Sequence, residues 1–295
     1  MSLLKNFAAM YDDDIRTRIL DGIGEVPNVY QQYFEFRETD KYIESSTGYS
    51  GLGAMVEWDD GEPIPLDAPA LIYNNTVTQE FYGMGFKASR QLIKYGDIST
   101  IMKWAASLGR SLGQTYGTVH ADVLNNSFTT TWSALGSVAL ISASHGSMGS
   151  VTRSNINASA ALTPATLEVL IAQGSNLQTY RGLRDPVKYD KLITVPALRR
   201  QAAKILDSDG EMGTGNNDTN TQRGMFSLVI DPFLEDSTTH YFLQGPGHGL
   251  ESIHGQMPRR REYMDEPTES RVFTLSADFQ VNVEQWEGMA GSQGA

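Results

Sequence analysis

The chain contains no cysteine. Disulfides, thiolate metal ligands and thiol nucleophiles are all excluded by that absence. No apolar run approaches the ~18 residues that a membrane-spanning helix needs, so no membrane partner is expected. The first residues, MSLLKNFAAMYDDDIRTRIL, lack a basic segment followed by an apolar one and do not read as a secretory signal. Positive charge is scarce: 23 Lys and Arg stand against 35 Asp and Glu, a formal net charge of −12. General duplex binding needs cationic side chains to replace phosphate counterions, and this balance argues against it. Enclosing nucleic acid is a different matter. A container that weakly repels DNA lets it slide in and out.

Signatures of chemistry are also missing. There is no GxxxxGK[ST] cradle, no HExxH and no GxSxG elbow. The acidic run Asp12, Asp13, Asp14 has no EF-hand spacing behind it. The GPGHG segment at Gly245, Gly247 and Gly249 suits a turn better than a dinucleotide site. Of the five histidines, His120, His145, His240, His248 and His254, none is spaced for a metal. His145 lies in SASHGS beside Ser142, Ser144 and Ser147, which leaves a Ser/His hydrolase as one reading and a hydrogen-bonded structural histidine as the other. No catalytic, cofactor-binding or metal-binding residue is expected.

What the chain does have is extended structure. From Phe273 to Glu284 apolar and polar residues alternate without a break. Side chains on a strand change face at each residue, so this is a half-buried strand. At ~3.3 Å per residue it spans roughly 40 Å, about twice the usual length. Such a strand suits a plate-like molecule better than a compact enzyme. Trp286 and a small-residue tail, Gly288 to Ala295, follow it.

Residues 1–45 show no clear long element. Residues 50–85 read as one long projecting β-hairpin whose distal part carries Glu57, Trp58, Asp59, Asp60, Glu62 and Asp67. Asp97 or Ser99 can cap a helix running to about Asn126, with Ile101, Ala105, Leu108, Leu112, Val119 and Val123 on one face. Gly109, Gly113 and Gly117 fall at i, i+4 and i+8 on that helix. Each glycine weakens a helix by ~1 kcal/mol against alanine, so the stripe reads as a site of close backbone packing. Residues 127–162 read as loop-dominated. Thr163 caps a short helix opened by Pro164, Leu192 to Val195 is a buried strand, and Pro196 opens a second short helix. Residues 207–222 read as a mobile polar loop, strands follow at 226–231 and 239–243, and a Gly- and Pro-rich segment leads to the long strand. No βαβ alternation is sustained, so the class is α+β. Arg259, Arg260 and Arg261 form the one sharp basic cluster. A phosphate contact, an acidic protein partner and a solvated turn are the three readings open to it. In an acidic chain with an acidic hairpin, a second copy is the natural partner.

Together these stretches resemble the Mu-like phage major head proteins. ESSTGYSGLGAMVEWDDGEPIPLDAP is similar to the family's hairpin segment and YGMGFKASRQLIKYGD to the strand and helix entry after it. GSVALISASHGSMGSVTRSNINASAALTPATLE, LITVPALRRQAAKIL, GTGNNDTNTQRG, VIDPFLEDSTTHYFL and SADFQVNVEQWEGMAGSQGA continue in family order, so the resemblance covers roughly residues 30–295. It implies the tailed-phage major capsid fold. The expected parts are an N-terminal arm (1–45), an E-loop hairpin (50–85), a peripheral P-domain with a long spine helix (86–135 and 237–295) and an axial A-domain (136–236). It also implies hexamers and pentamers closing an icosahedral shell around double-stranded DNA in the virion, assembled in the host bacterial cytoplasm with portal, scaffolding and decoration proteins. An encapsulin-type nanocompartment is the alternative of the same fold. Some relatives join subunits through a hairpin lysine, but none occurs here between Lys41 and Lys87. Only a short arm precedes the hairpin, so a separate scaffold is expected.

Overall fold

The computed structural model describes residues 3–95, 98–147, 153–210, 219–235 and 238–294, with side chains of the first helix from Asp13 onward. The chain opens with α1 (Leu3–Gly24) and a 3-10 turn (Val29–Gln32), then β1 (Glu35–Glu38), β2 (Ile43–Tyr49), β3 (Leu71–Thr78) and β4 (Glu80–Ala88). The helices α2 (Arg90–Tyr95) and α3 (Ile98–Asn125) follow, then two short strands, β5 (Thr131–Trp132) and β6 (Val138–Ala139). Next come α4 (Pro164–Ser175), β7 (Lys191–Thr194), α5 (Arg199–Asp207), β8 (Ser227–Ile230) and β9 (Tyr241–Gln244). The chain ends with β10 (Leu250–Asp265), β11 (Ser270–Val283) and β12 (Met289–Ser292).

Two four-stranded sheets organise this mixed α+β fold. The first has the order β1-β10-β11-β4. Its spine is the antiparallel pair β10–β11, in register from Leu250 opposite Val283 to Asp265 opposite Ser270. Parity along β11 is kept to the end: Phe273, Leu275, Ala277, Phe279, Val281 and Val283 are all buried. The face they form packs on α3, whose Ile101, Ala105, Leu108, Leu112, Tyr116 and Val123 belong to the same core. The second sheet has the order β12-β9-β7-β8 and is buried on both faces. Ile193 and Phe242 face the main core, while Leu192, Tyr241 and Leu243 face a second core with Leu167 and Leu170 of α4 and Ile205 and Leu206 of α5. A strand with two covered faces has no alternation, which is why LITV reads as a continuous apolar run. Thr163 caps α4 through reciprocal bonds with Thr166.

Several expectations are corrected here. The arm, read as lacking a long element, contains a 22-residue helix, α1. The Gly- and Pro-rich stretch before β11 is the 16-residue strand β10. Its register shifts between His254 and Gln256 and again before Arg259, and Pro258 sits inside that break. Proline lacks an N–H and is tolerated in a strand at such bulges. The hairpin ladder runs from Ile43 opposite Thr78 to Tyr49 opposite Leu71, and β4 pairs with β11 instead. The C-terminal residues are no loose tail: β12 is a buried strand paired to β9. A boundary at 237 therefore runs through the second sheet, since β9 and β12 join β7 and β8. Of the polar loop 207–222, residues 211–218 lie outside the described residues. Its end is pinned: the Asn220 side chain donates to Ile205 O (2.5 Å) and Ser208 O (3.0 Å), and Gln222 Nε2 donates to Pro164 O (2.6 Å). The cap expected from Asp97 also lies outside the described residues.

Candidate functional site

The hairpin is anchored at its root and bare at its tip. At the root, Thr39 N donates to His254 O (2.9 Å) and Gln79 N to Tyr42 O (3.0 Å). Glu44 accepts from the Thr39 hydroxyl and pairs with Arg37 at 2.6 Å. The Thr39 bond, and then the Arg37 charge, hold its carboxyl below the ordinary range. Asn75 of β3 donates to Asn282 Oδ1 of β11 (3.0 Å) and accepts from Ser133 Oγ (2.5 Å), which seats the hairpin on the first sheet. Tyr73 lies across Gly48, where a Cβ would come within 2.1 Å of its ring.

Beyond Tyr49 the ladder stops. Asp67 closes the loop by accepting from Gly53 N (2.8 Å) and from Arg181, whose Nε also donates to Ser50 Oγ (3.1 Å). The hydrogen bond from Arg181, and then that from Gly53 N, hold the Asp67 carboxyl below the usual range. At the far end Glu62 N donates to Asp59 O (3.2 Å), Gly61 adopts φ +92°, and Trp58 Nε1 donates to Glu62 O (2.5 Å). Glu57, Trp58, Asp59, Asp60 and Glu62 therefore share one exposed turn.

Sequence reasoning stressed the acids of this loop and missed its apolar content. Met55 is fully exposed and Leu66 is 96% exposed, and Leu52, Val56 and Ile64 are each more than half exposed. Five large apolar side chains exposed on one loop make it a candidate contact surface. The signal was available: five large apolar residues stand between glycines and prolines that deny them a core of their own.

The arginine triplet is not a turn. It lies in β10 just past the bulge, and strand parity divides it. Arg259 and Arg261 are exposed, whereas Arg260 is half-buried with Nη1 3.9 Å from Glu262, which also pairs with Arg271. Arg259 and Arg260 line a groove of about 530 Å³ between β10 and α1, together with Arg16, Leu20, Met257 and Leu275. The groove thus joins apolar walls to a basic rim.

The wall contributed by α1 depends on close helix packing. A Cβ on Gly109 would lie 2.0 Å from Ile19 O, and one on Gly22 would lie 2.2 Å from Ala106 O, so the two backbones touch reciprocally. A Cβ on Gly113 would lie 3.0 Å from the Val26 side chain and 3.2 Å from Ile23 O, and one on Gly117 would lie 2.4 Å from the Phe233 ring.

His145 is locked in its setting. Its ring stacks on Trp286 at 3.6 Å and 4°, and Nε2 lies 3.0 Å from Asn155 Oδ1. Arg153 covers the same indole at 4.8 Å and pairs with Glu287 at 2.6 Å. Burial pushes the imidazole down to about 4, and the Ser142 hydroxyl donates to Ser144 O (3.4 Å). No group of three or more histidine and acidic side chains that could hold a metal occurs among the described residues.

Residues 74–291 match the model of a family described as phage capsid protein. No curated protein matches the chain by sequence. Among solved structures, the chain is similar to the bacteriophage PhiM1 mature capsid (TM-score 0.61, 10% identity, 90% of this chain and 86% of that one). It is also similar to the capsid of the native GTA particle (TM-score 0.60, 12% identity, 92% and 91%). A virus-like particle from Pyrococcus furiosus aligns over 96% of this chain and 99% of its own (TM-score 0.53, 12% identity).

Proposed function

This chain belongs to the phage capsid protein family, and on that premise we propose that it is a major head subunit that assembles as hexamers and pentamers into an icosahedral shell around double-stranded DNA. The observation that carries the reading is the hairpin tip, with Met55 and Leu66 bare to water on a loop rooted in a well-packed sheet. That surface has no partner within the described residues of its own chain, and a repeating neighbour supplies one. The resemblance to Mu-like head proteins supports the finer placing into arm, E-loop, P-domain and A-domain, with β9 and β12 kept beside β7 and β8 in the A-domain. Portal, scaffolding and decoration proteins, assembly in the host cytoplasm and non-covalent joints between subunits belong to the same reading.

The tip of one subunit docks on the groove between α1 and β10 of the next. The tip offers Met55, Val56 and Trp58 among Glu57, Asp59, Asp60 and Glu62; the groove offers Leu20 and Met257 among Arg16, Arg259 and Arg260. Exposed ion pairs are individually worth ~0–1 kcal/mol, so the apolar anchors hold and the charges set register. Light scattering and negative-stain images of the purified chain test shell formation, and a protein that stays monomeric at high concentration overturns it. Arg259→Glu should impair even empty shells, and Glu57→Arg should partly restore them. If empty shells of Arg259→Glu form normally and only DNA filling changes, the arginines face the lumen instead. Particles that enclose protein rather than DNA would favour the nanocompartment.

A further inference from the structure

The root of the hairpin rests on a buried histidine, His120, and a half-buried one, His254, that share one serine hydroxyl. His120 of α3 is completely buried, with Nδ1 2.7 Å from Tyr116 O and Nε2 2.7 Å from Ser252 Oγ of β10. The same hydroxyl lies 3.0 Å from His254 Nε2. His120 Nδ1–H must donate to the carbonyl, so its Nε2 accepts from the Ser252 O–H, and Ser252 in turn accepts from His254 Nε2–H. With both rings neutral, that chain places every proton once. His254 Nδ1 is then a buried acceptor with no donor among the described residues.

Three residues of the segment before the hairpin roof this pair. Tyr30 stacks on His120 at 4.3 Å, Phe34 meets it edge-on at 4.8 Å, and Phe36 of β1 lies 5.6 Å from His254. Phe279 of β11 and Tyr116 form the floor. A proton on His120 Nε2 makes the Ser252 hydroxyl turn to His254 Nε2, which must then carry its own proton on Nδ1; with both rings charged, both are donors toward Ser252 and the hydroxyl proton has no acceptor. A proton on His254 Nδ1 creates a buried cation whose one facing carboxylate is Glu38, at the end of β1. Burial already pushes both imidazoles down, His120 to about 4, and a charge on His254 further opposes one on His120. The remaining titratable groups toward the pair are the phenols of Tyr30 and Tyr116, with Asp278 acting on Tyr116.

The geometry points to an acid-sensitive lock: protonation of the His120–His254 pair frees β1 from β10 and so loosens the root from which the hairpin projects. Among the elements around the pair β1 is the weakest held, a four-residue edge strand with one parallel neighbour, and Phe36 is 47% exposed. The other walls belong to the 28-residue α3 and to the spine of the sheet. On the opposite face of β1, His248 lies 3.7 Å from Glu35, and a proton there tightens the strand. The variants are therefore made at the caged pair.

Hydrogen exchange of the full chain, read by mass spectrometry and corrected for intrinsic pH dependence, tests the lock without requiring shells. Between pH 7.5 and 4.5 protection at residues 35–39 should fall by about tenfold or more while α3 and β11 stay protected, tenfold being the effect of one unit of pKa difference. His254→Gln keeps an N–H donor toward Ser252 but takes no proton, and it should flatten the profile. An unchanged profile in that variant, or simultaneous loss of protection in α3 and β11, overturns the proposal. If His254→Gln does not fold, NMR titration of the two rings in the unaltered chain decides. Ring protonation coincident with loss of β1 protection supports the lock; loss of protection while both rings remain neutral refutes it.

Discussion

The β10–β11 sheet and the hairpin tip use the same residue types to opposite ends. In β11 the apolar side chains at 273, 275, 277, 279, 281 and 283 are buried against α3. At the tip, Leu52, Met55, Val56, Ile64 and Leu66 stand in solvent on a loop whose hydrogen bonds lie at its base and far turn. Burial of apolar area stabilises by roughly 25 cal/mol per Å² wherever it occurs. The sheet realises that gain within the subunit, and the tip realises it only against another molecule. A residue's contribution to folding and its contribution to assembly can therefore be separated along one chain.

The sharpest way to break this contrast is at the floor of the sheet. Phe279 is completely buried, stacks on Tyr82 (4.5 Å) and lies tilted against Tyr116 (4.4 Å). Phe279→Ala should destabilise the subunit by ~3–5 kcal/mol in urea unfolding, because a cavity adds to the lost transfer energy. A cost as small as a surface substitution's would mean that the sheet is not the stabilising half.

Acid acts on the folding half as well. His120 and His145 are both held near 4 by burial, below the ordinary histidine value of 6.5. The folded state binds fewer protons than the unfolded one between those values. Stability is thus complete above pH ~6.5 and declines as pH falls toward ~4, by roughly 2–3 kcal/mol for His120. Unfolding free energies at pH 7 and 4.5 measure this, and His120→Leu should reduce the slope.

The helix contact comes next. Gly109→Leu inserts a side chain where Ile19 O already lies, and overpacking of this kind typically destabilises by ~1–3 kcal/mol. Since α1 also walls the basic groove, assembly should fail before folding does. Circular dichroism with light scattering separates the two, and normal assembly by the variant would show that the groove needs no fixed α1.

The smallest effect on folding is expected at the tip. Met55→Ser with Leu66→Ser should change subunit stability by no more than ~0.5 kcal/mol, since no native burial is lost, yet prevent shell formation. Shells formed at the normal concentration by this variant would remove the tip from the assembly contact.

The long strand, the long helix and the glycine stripe were legible in the sequence because each is a local period. Phe273 to Val283 declares its own faces by parity, and Ile101 to Val123 by spacing of three and four. The strand β10 was not legible, because Gly255 and Pro258 interrupt its pattern at a bulge that only pairing with β11 makes tolerable. For the candidate site, the acids at 57, 59, 60 and 62 could be read directly. The division of Arg259, Arg260 and Arg261 between surface and Glu262 could not, since it depends on where the register shifts fall.

Alone, the sequence determined where side chains point along each element, because backbone geometry ties face to residue number over a few positions. The tertiary structure decided what each face meets. It put Gly109 against α1 rather than another segment, β9 and β12 in the second sheet rather than the first, and Met55 and Leu66 in water. Those outcomes depend on contacts between residues far apart in the chain, where burial and hydrogen-bond satisfaction are settled by the whole packed arrangement and no local period carries the information.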